Sequence, residues 1–137
     1  MFAMVSQTNL ASPSLAVFPD SYGHARTLWR QHLSRLRIPV EGCSFETSGT
    51  APDGAPLATE CAWLGPQAAT RALVIIGGTH GIEGFAGTAV ICDMLAELAH
   101  AHLPADLAVL CVQALTPWGY AWHRRCDADG IDLNRNC

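Results

Sequence analysis

The sequence of 137 residues has no lysine: its eight basic side chains are all arginine, set against twelve Asp and Glu for a formal charge of -4. No basic block occurs, which argues against nucleic acid or an anionic membrane as partner. There is no Cys-x-x-Cys pair, and Cys43, Cys61, Cys92, Cys111, Cys126 and Cys137 are spaced long and irregularly. That pattern suits neither a zinc ribbon nor a disulfide scaffold, so most of these thiols are expected as small buried hydrophobes. The longest strongly apolar run, Ala72 to Ile76, falls far short of the ~20 residues of a bilayer span. Met1 to Phe18 lack a positive start and are interrupted by Ser, Gln, Asn and Pro, which is not how a secretory signal reads. A cytoplasmic location is the expectation. With half the residues apolar and only 15% charged, the chain has the composition of one globular domain rather than a disordered or fibrous segment.

The first nineteen residues show no periodicity and are expected to form a loose arm, with residues 20–137 as one domain. From Asp20 and Ser21, potential caps, the apolar set Ala25, Leu28, Trp29, Leu33 and Leu36 recurs at helical spacing. Arg26, Arg30 and Arg37 lie on the other side, expected to be solvated, and Pro39 stops the helix. Two extended stretches, Cys43 to Thr47 and Leu57 to Leu64, flank the turn-forming residues 48–54 and suit a hairpin-like connection. Ala72 to Ile76 is uniformly apolar and ends at Gly77-Gly78, the pattern of a central strand covered on both faces. Phe85, Ala89, Cys92, Ala96 and Ala99 then mark one helical face, and Leu107 to Leu115 a second apolar strand. Strand, helix, strand in that order implies a parallel crossover and the α/β class. Pro117 to Tyr120 opens a turn, and the polar run from Arg124 to Asn136 reads as a loop.

In open α/β sheets ligands bind beyond the carboxyl ends of the strands, where both polar clusters of this sequence fall. The first is Gly77-Gly78-Thr79-His80-Gly81-Ile82-Glu83-Gly84. Its imidazole and carboxylate stand three apart, close enough in a turn to meet one ion. The second, Arg124 to Asn136, brings guanidinium groups suited to bidentate carboxylate binding to the end of the next strand.

A glycine-flanked His-x-x-Glu after a buried strand, followed one crossover later by Asp132-Leu133-Asn134-Arg135-Asn136, resembles the zinc carboxypeptidase superfamily. That superfamily includes carboxypeptidase A and the succinylglutamate desuccinylase and aspartoacylase branch. The likeness is nearest to a bacterial branch of unknown function, in the run Gly-Thr-His-Gly-Ile-Glu-Gly-Phe, then Pro-Trp-Gly-Tyr-Ala-Trp, then Arg-Arg and Asp-Leu-Asn-Arg-Asn. It covers about Arg71 to Asn136. The resemblance implies a three-layer α/β sandwich with a mixed, mainly parallel sheet, here as an incomplete N-terminal half. It implies Zn2+ held by His80 and Glu83, and Asp132 hydrogen-bonded to the zinc-binding imidazole. Arg125 would polarise the scissile carbonyl, with Arg124 as the fallback, while Asn134 and Arg135 would hold a substrate carboxylate. The implied reaction is hydrolysis of an amide in a small molecule or peptide with a free carboxylate.

The family's third zinc ligand, a His, and its Glu general base come from well beyond the Asn-Arg motif, where only Asn136 and Cys137 remain. The expectation is therefore a fragment, inactive alone. His100 and His102 lie at the far end of the helix that begins at the motif, roughly 22 Å away, and His123 reads as a turn residue. Two other readings stand beside the hydrolase. One is a truncated, non-catalytic remnant that self-associates through an exposed sheet edge. The other is a nucleotide-binding α/β module, disfavoured because Gly78-x-x-Gly81-x-x-Gly84 is not a dinucleotide fingerprint and Glu83 would face the phosphates.

Overall fold

The computed structural model describes residues 18–136. The expected loose arm falls almost entirely outside the described residues, as does Cys137. Seven elements follow in order: α1 (Tyr22–Ser34), β1 (Val40–Thr50), β2 (Pro56–Leu64), β3 (Arg71–Ile76), α2 (Gly84–Leu98), β4 (Leu107–Gln113) and α3 (Pro117–Ala121).

Helix α1 starts where its cap was expected, the Ser21 hydroxyl accepting from the His24 amide at 3.2 Å. It buries Tyr22, Ala25 and Trp29. Arg26, its side chain only 16% exposed, corrects the expectation of a solvated face, whereas Arg30 stays 60% exposed and shares the same partner. Glu60, buried on β2, accepts from Arg26 Nη2 at 2.8 Å and Nε at 3.1 Å, and also from Arg30. A carboxylate taken out of water needs paired charge, and α1 supplies it. Hairpin β1–β2 is antiparallel, with Val40 opposite Leu64 and Glu46 opposite Ala58 before the register shifts near Thr50. Its turn closes through Ala51 N to Ala55 O at 2.9 Å, with Gly54 in the left-handed region at φ 83°.

The sheet order is β1-β2-β4-β3, β3 running parallel to β4 and the other two pairings antiparallel. The α/β class with a mixed sheet is as expected. Within the described residues, however, the sheet is more antiparallel than parallel, because hairpin β1–β2 joins it directly and only β3–α2–β4 is a crossover. Trp29 of α1 and Ile91 and Leu95 of α2 share one apolar cluster with Ala62, Leu64, Val109 and Cys111, which registers place on one sheet face. The described residues thus supply two of the three layers, sheet and helices.

Strand β3 departs from the central position expected of it. It lies at the sheet edge, with Leu73, Val74 and Ile76 about half exposed. A uniformly apolar run reports that both faces are suited to cover; it does not report what provides the cover.

The strand ends are tied together beneath the motif loop. Gly77 N donates to Val112 O at 2.8 Å, Leu115 N to Gly77 O at 3.0 Å and Thr116 N to Gly78 O at 2.9 Å. Buried Thr88 of α2 donates to Gly84 O at 2.9 Å, accepts from Gln113 Nε2 at 2.7 Å and meets the Tyr120 hydroxyl at 2.9 Å. Since the Thr88 proton goes to Gly84, Tyr120 is the donor in that last contact. Tyr120 is fully buried and pins α3 to the core, and burial pushes its hydroxyl well above the usual phenol range. A Cβ on Gly84 would stand 2.9 Å from the Tyr120 ring, so glycine there admits the aromatic. The segment after β4, expected as a turn, is the short helix α3, with Pro117 in its first turn.

Candidate metal centre

The His-Gly-Ile-Glu loop is held by backbone contacts before any ligand is considered. Thr116 Oγ1 donates to Thr79 O at 2.8 Å, Gly81 N to Arg124 O at 2.9 Å and Gly84 N to Gly81 O at 3.0 Å. Gly81 presses so closely on the second loop that a Cβ there would fall 2.0 Å from Gly119 O and 2.3 Å from Arg124 O. Glu83 occupies the N-cap of α2, yet its side chain makes no capping hydrogen bond and is 62% exposed. Its carboxylate is available to something other than its own helix.

The second loop is shaped by Asp127, a residue that sequence reasoning had not singled out. Its Oδ1 accepts from Asp129 N at 3.0 Å and Ile131 N at 2.8 Å, and Gly130 turns at φ 80°. The signal was present as Asp127-x-Asp129-Gly130, a side-chain-closed turn. This turn delivers Asp132 to His80. Asp132 Oδ1 meets His80 Nε2 at 3.0 Å and accepts from Asn134 N at 2.9 Å; Oδ2 accepts from Arg125 Nε at 2.8 Å. The His80 hydrogen bond first, then those to Arg125 and the Asn134 amide, lower the Asp132 carboxyl to about 2.

That ionised carboxylate fixes the imidazole. Asp132 has no proton to give at neutral pH, so Nε2 must be the protonated, donating nitrogen. In the neutral imidazole Nδ1 then carries the lone pair, and it faces Glu83 Oε1 at 3.7 Å. Two acceptors at that separation are too far apart to share a proton directly, and they offer donor atoms to a cation between them. His80 and Asp132 side chains are each only 14% exposed, so this geometry is sheltered on the imidazole side and open on the Glu83 side.

His80 and Glu83 fit two positions of a zinc donor set, nitrogen and oxygen. Asp132 accepts the hydrogen bond that zinc-binding imidazoles donate from their other nitrogen. Among the described residues no group of three or more His, Cys, Asp or Glu side chains is arranged around one ion, because Asp132 sits at the opposite ring nitrogen from Glu83. His100, His102 and His123 are all exposed, and none joins a His, Cys, Asp or Glu cluster. His123 takes a turn conformation at φ 54° and packs edge-on against Phe85.

The cationic residues are placed differently from one another. Arg125 is half exposed and committed through Nε to Asp132, whereas Arg124 has no ion pair among the described residues. Its carbonyl is instead the acceptor for Gly81. Asn134 and Arg135 are exposed, with Arg135 Nη1 donating to Asn134 O at 3.0 Å. A neighbouring hollow is lined by Thr47, Ser48, Thr116, Trp118, Asp127 and Leu133, among others; neither His80 nor Glu83 borders it. Among the described residues no helix is long and apolar enough to cross a membrane.

Residues 18–137 match a family described as a protein of unknown function, DUF2817, and the chain belongs to that family. No curated protein matches it. Among solved structures it is similar to a glutaminyl cyclase of Porphyromonas gingivalis, at 15% identity and a TM-score of 0.42 over 70% of this chain and 40% of that one. It is similar as well to a Zn-dependent exopeptidase of Parabacteroides distasonis, at 13% identity and a TM-score of 0.41 over 70% of this chain and 39% of that one. The chain thus spans about 40% of the length of the solved structures it matches.

Proposed function

We propose that the chain carries the first half of a zinc-dependent amide hydrolase site, of the metallocarboxypeptidase or deacylase kind. The observation that carries the reading is the imidazole of His80, with Nε2 held by ionised Asp132 at 3.0 Å and Nδ1 turned to the Glu83 carboxylate at 3.7 Å. His80 and Glu83 would hold the metal, and Asp132 would keep His80 in the ligating tautomer. Zinc bound there would supply Lewis acidity and a bound water of lowered pKa. Arg125, reaching out from Asp132, would place positive charge where an amide carbonyl becomes an oxyanion. Asn134 and Arg135 would orient a substrate bearing a free carboxylate. A third ligand and a general base complete such a site elsewhere, so the 137-residue chain alone should bind zinc weakly and hydrolyse little.

The test is zinc titration of this chain by calorimetry, with cobalt spectra as a second readout. Binding should vanish in His80→Ala and Glu83→Ala, persist in His100→Ala and weaken about 10- to 100-fold in Asp132→Asn. Zinc binding unchanged in the first two variants refutes the assignment. A second reading, a non-catalytic chain that self-associates, is supported by the outer edge of β3, which no strand covers among the described residues. It predicts concentration-dependent assembly without any zinc dependence.

A further inference from the structure

Cys43 of β1 and Cys61 of β2 are direct partners across the antiparallel ladder. Opposed residues of a ladder project to the same face, here the face turned away from α1 and α2. Cys43 is exposed there and Cys61 half-buried, in a shallow hollow with Glu41, Trp63, Gln67 and Leu110. Directly opposed Cα atoms lie about 4.5 or 5.5 Å apart, depending on their place in the hydrogen-bonding pattern. Either spacing falls inside the roughly 4.4–6.8 Å that a disulfide spans. Both residues are free thiols. Burial, and then the nearby Cys43 sulfur, push the Cys61 thiol above its ordinary value, so the two sulfurs sense one another.

We propose that Cys43 and Cys61 form a redox site, a cross-strand dithiol that closes to a disulfide by exchange with a small soluble disulfide of the glutathione type. The Cys43 thiolate, the accessible one, attacks a sulfur of the small disulfide; a mixed disulfide forms and one small thiolate leaves. The Cys61 thiolate then attacks the Cys43 sulfur, forming the cross-strand bond and expelling the second small thiolate. The protein dithiol is oxidised, the small disulfide is reduced to two thiols, and the protons of Cys43 and Cys61 pass to those leaving groups. A thiol-bound metal is the weaker alternative: Glu41 lines the same hollow, yet among the described residues no three His, Cys, Asp or Glu side chains are arranged to hold one ion. Closure would fasten β1, exposed along its whole length, to interior strand β2. Cys92 and Cys111 are buried and take no part.

The experiment treats the reduced 137-residue chain with oxidised glutathione, blocks the remaining thiols, and digests it without reductant. Cys43 and Cys61 share one peptide between Arg37 and Arg71, so a glutamyl endopeptidase cutting after Glu46 and Glu60 is needed to separate them. The expected result is a Cys43–Cys61 linked peptide pair that dithiothreitol releases, with a melting temperature higher in the oxidised chain than in the reduced one. Cys43→Ser and Cys61→Ser should each abolish the linked pair and the rise in melting temperature. Glutathione retained on Cys43 without transfer, cross-links only between chains, or both thiols still free at full exposure to the oxidant would each overturn the proposal.

Discussion

The fit of the motif loop against the second loop can be tested with one methyl group at Gly81. In Gly81→Ala the new Cβ would lie 2.0 Å from Gly119 O and 2.3 Å from Arg124 O. Both are backbone atoms, and Gly119 is itself confined, since a Cβ there would stand 2.7 Å from Cys126 O. Neither wall yields by rotating a side chain. Forced overpacking of this kind costs roughly 1–3 kcal/mol, and displacing the loop also breaks the hydrogen bond from Gly81 N to Arg124 O, worth about 1 kcal/mol. The sum, about 3 kcal/mol, is a sizeable part of a typical ~5–15 kcal/mol and about a hundredfold in the folding ratio. Urea unfolding followed by tryptophan fluorescence measures it, and thermal unfolding should show a fall in melting temperature of about 10 °C. Gly23→Ala is the matched control, because nothing lies within 4 Å of a Cβ there. It should stabilise α1 by about 0.5 kcal/mol through the unfolded chain. Gly81→Ala as benign as Gly23→Ala would refute the tight apposition of the two loops, and with it the placement of His80 by Asp132.

Two ion pairs of opposite burial should behave oppositely. Arg26→Ala strips a partner from buried Glu60 and should cost about 2 kcal/mol, little affected by salt, whereas Asp106→Asn, in the exposed pair with Arg71, should cost far less, and less still in salt; equal losses in urea melts would contradict this. Burial raises the Cys92 and Cys111 thiols to about 11 from an ordinary value of 9.0. The unfolded chain therefore loses these protons first, and stability should decline as pH climbs from about 9 toward about 11. Replacing both by Ala should flatten that decline, and an unchanged slope would argue against it. The outer edge of β3 carries no charge between Ala72 and Ile76 and is unpaired among the described residues, so sedimentation should show association at high protein concentration. Val74→Lys should suppress it, and a chain monomeric before and after the substitution would rule out pairing through this edge.

Helix α1 was legible because Ser21, the Ala25, Trp29 and Leu33 spacing and Pro39 are local signals, each acting within a turn or two. The hairpin and the β3–α2–β4 unit were legible on the same ground, as was the loop that follows α3. Less could be read where partners are distant in the chain. Arg26 looked like part of a solvated face because Glu60, some thirty residues on, carries no mark in the sequence of being buried beneath it. At the candidate centre, spacing brought out His80 and Glu83 as a pair, and family likeness nominated Asp132. Neither could tell that Arg125 is tied through Nε to Asp132, or that Asp127 folds the turn that carries it.

The sequence by itself determined where chain direction changes and which side chains are suited to cover, since turns, caps and apolar periodicity depend on neighbours a few residues away. Only the tertiary structure decided which strand became the sheet edge, which carboxylate met which imidazole nitrogen, and that Cys43 stands opposite Cys61. Those outcomes depend on register and loop apposition, and both are set by packing between segments that the linear order keeps apart.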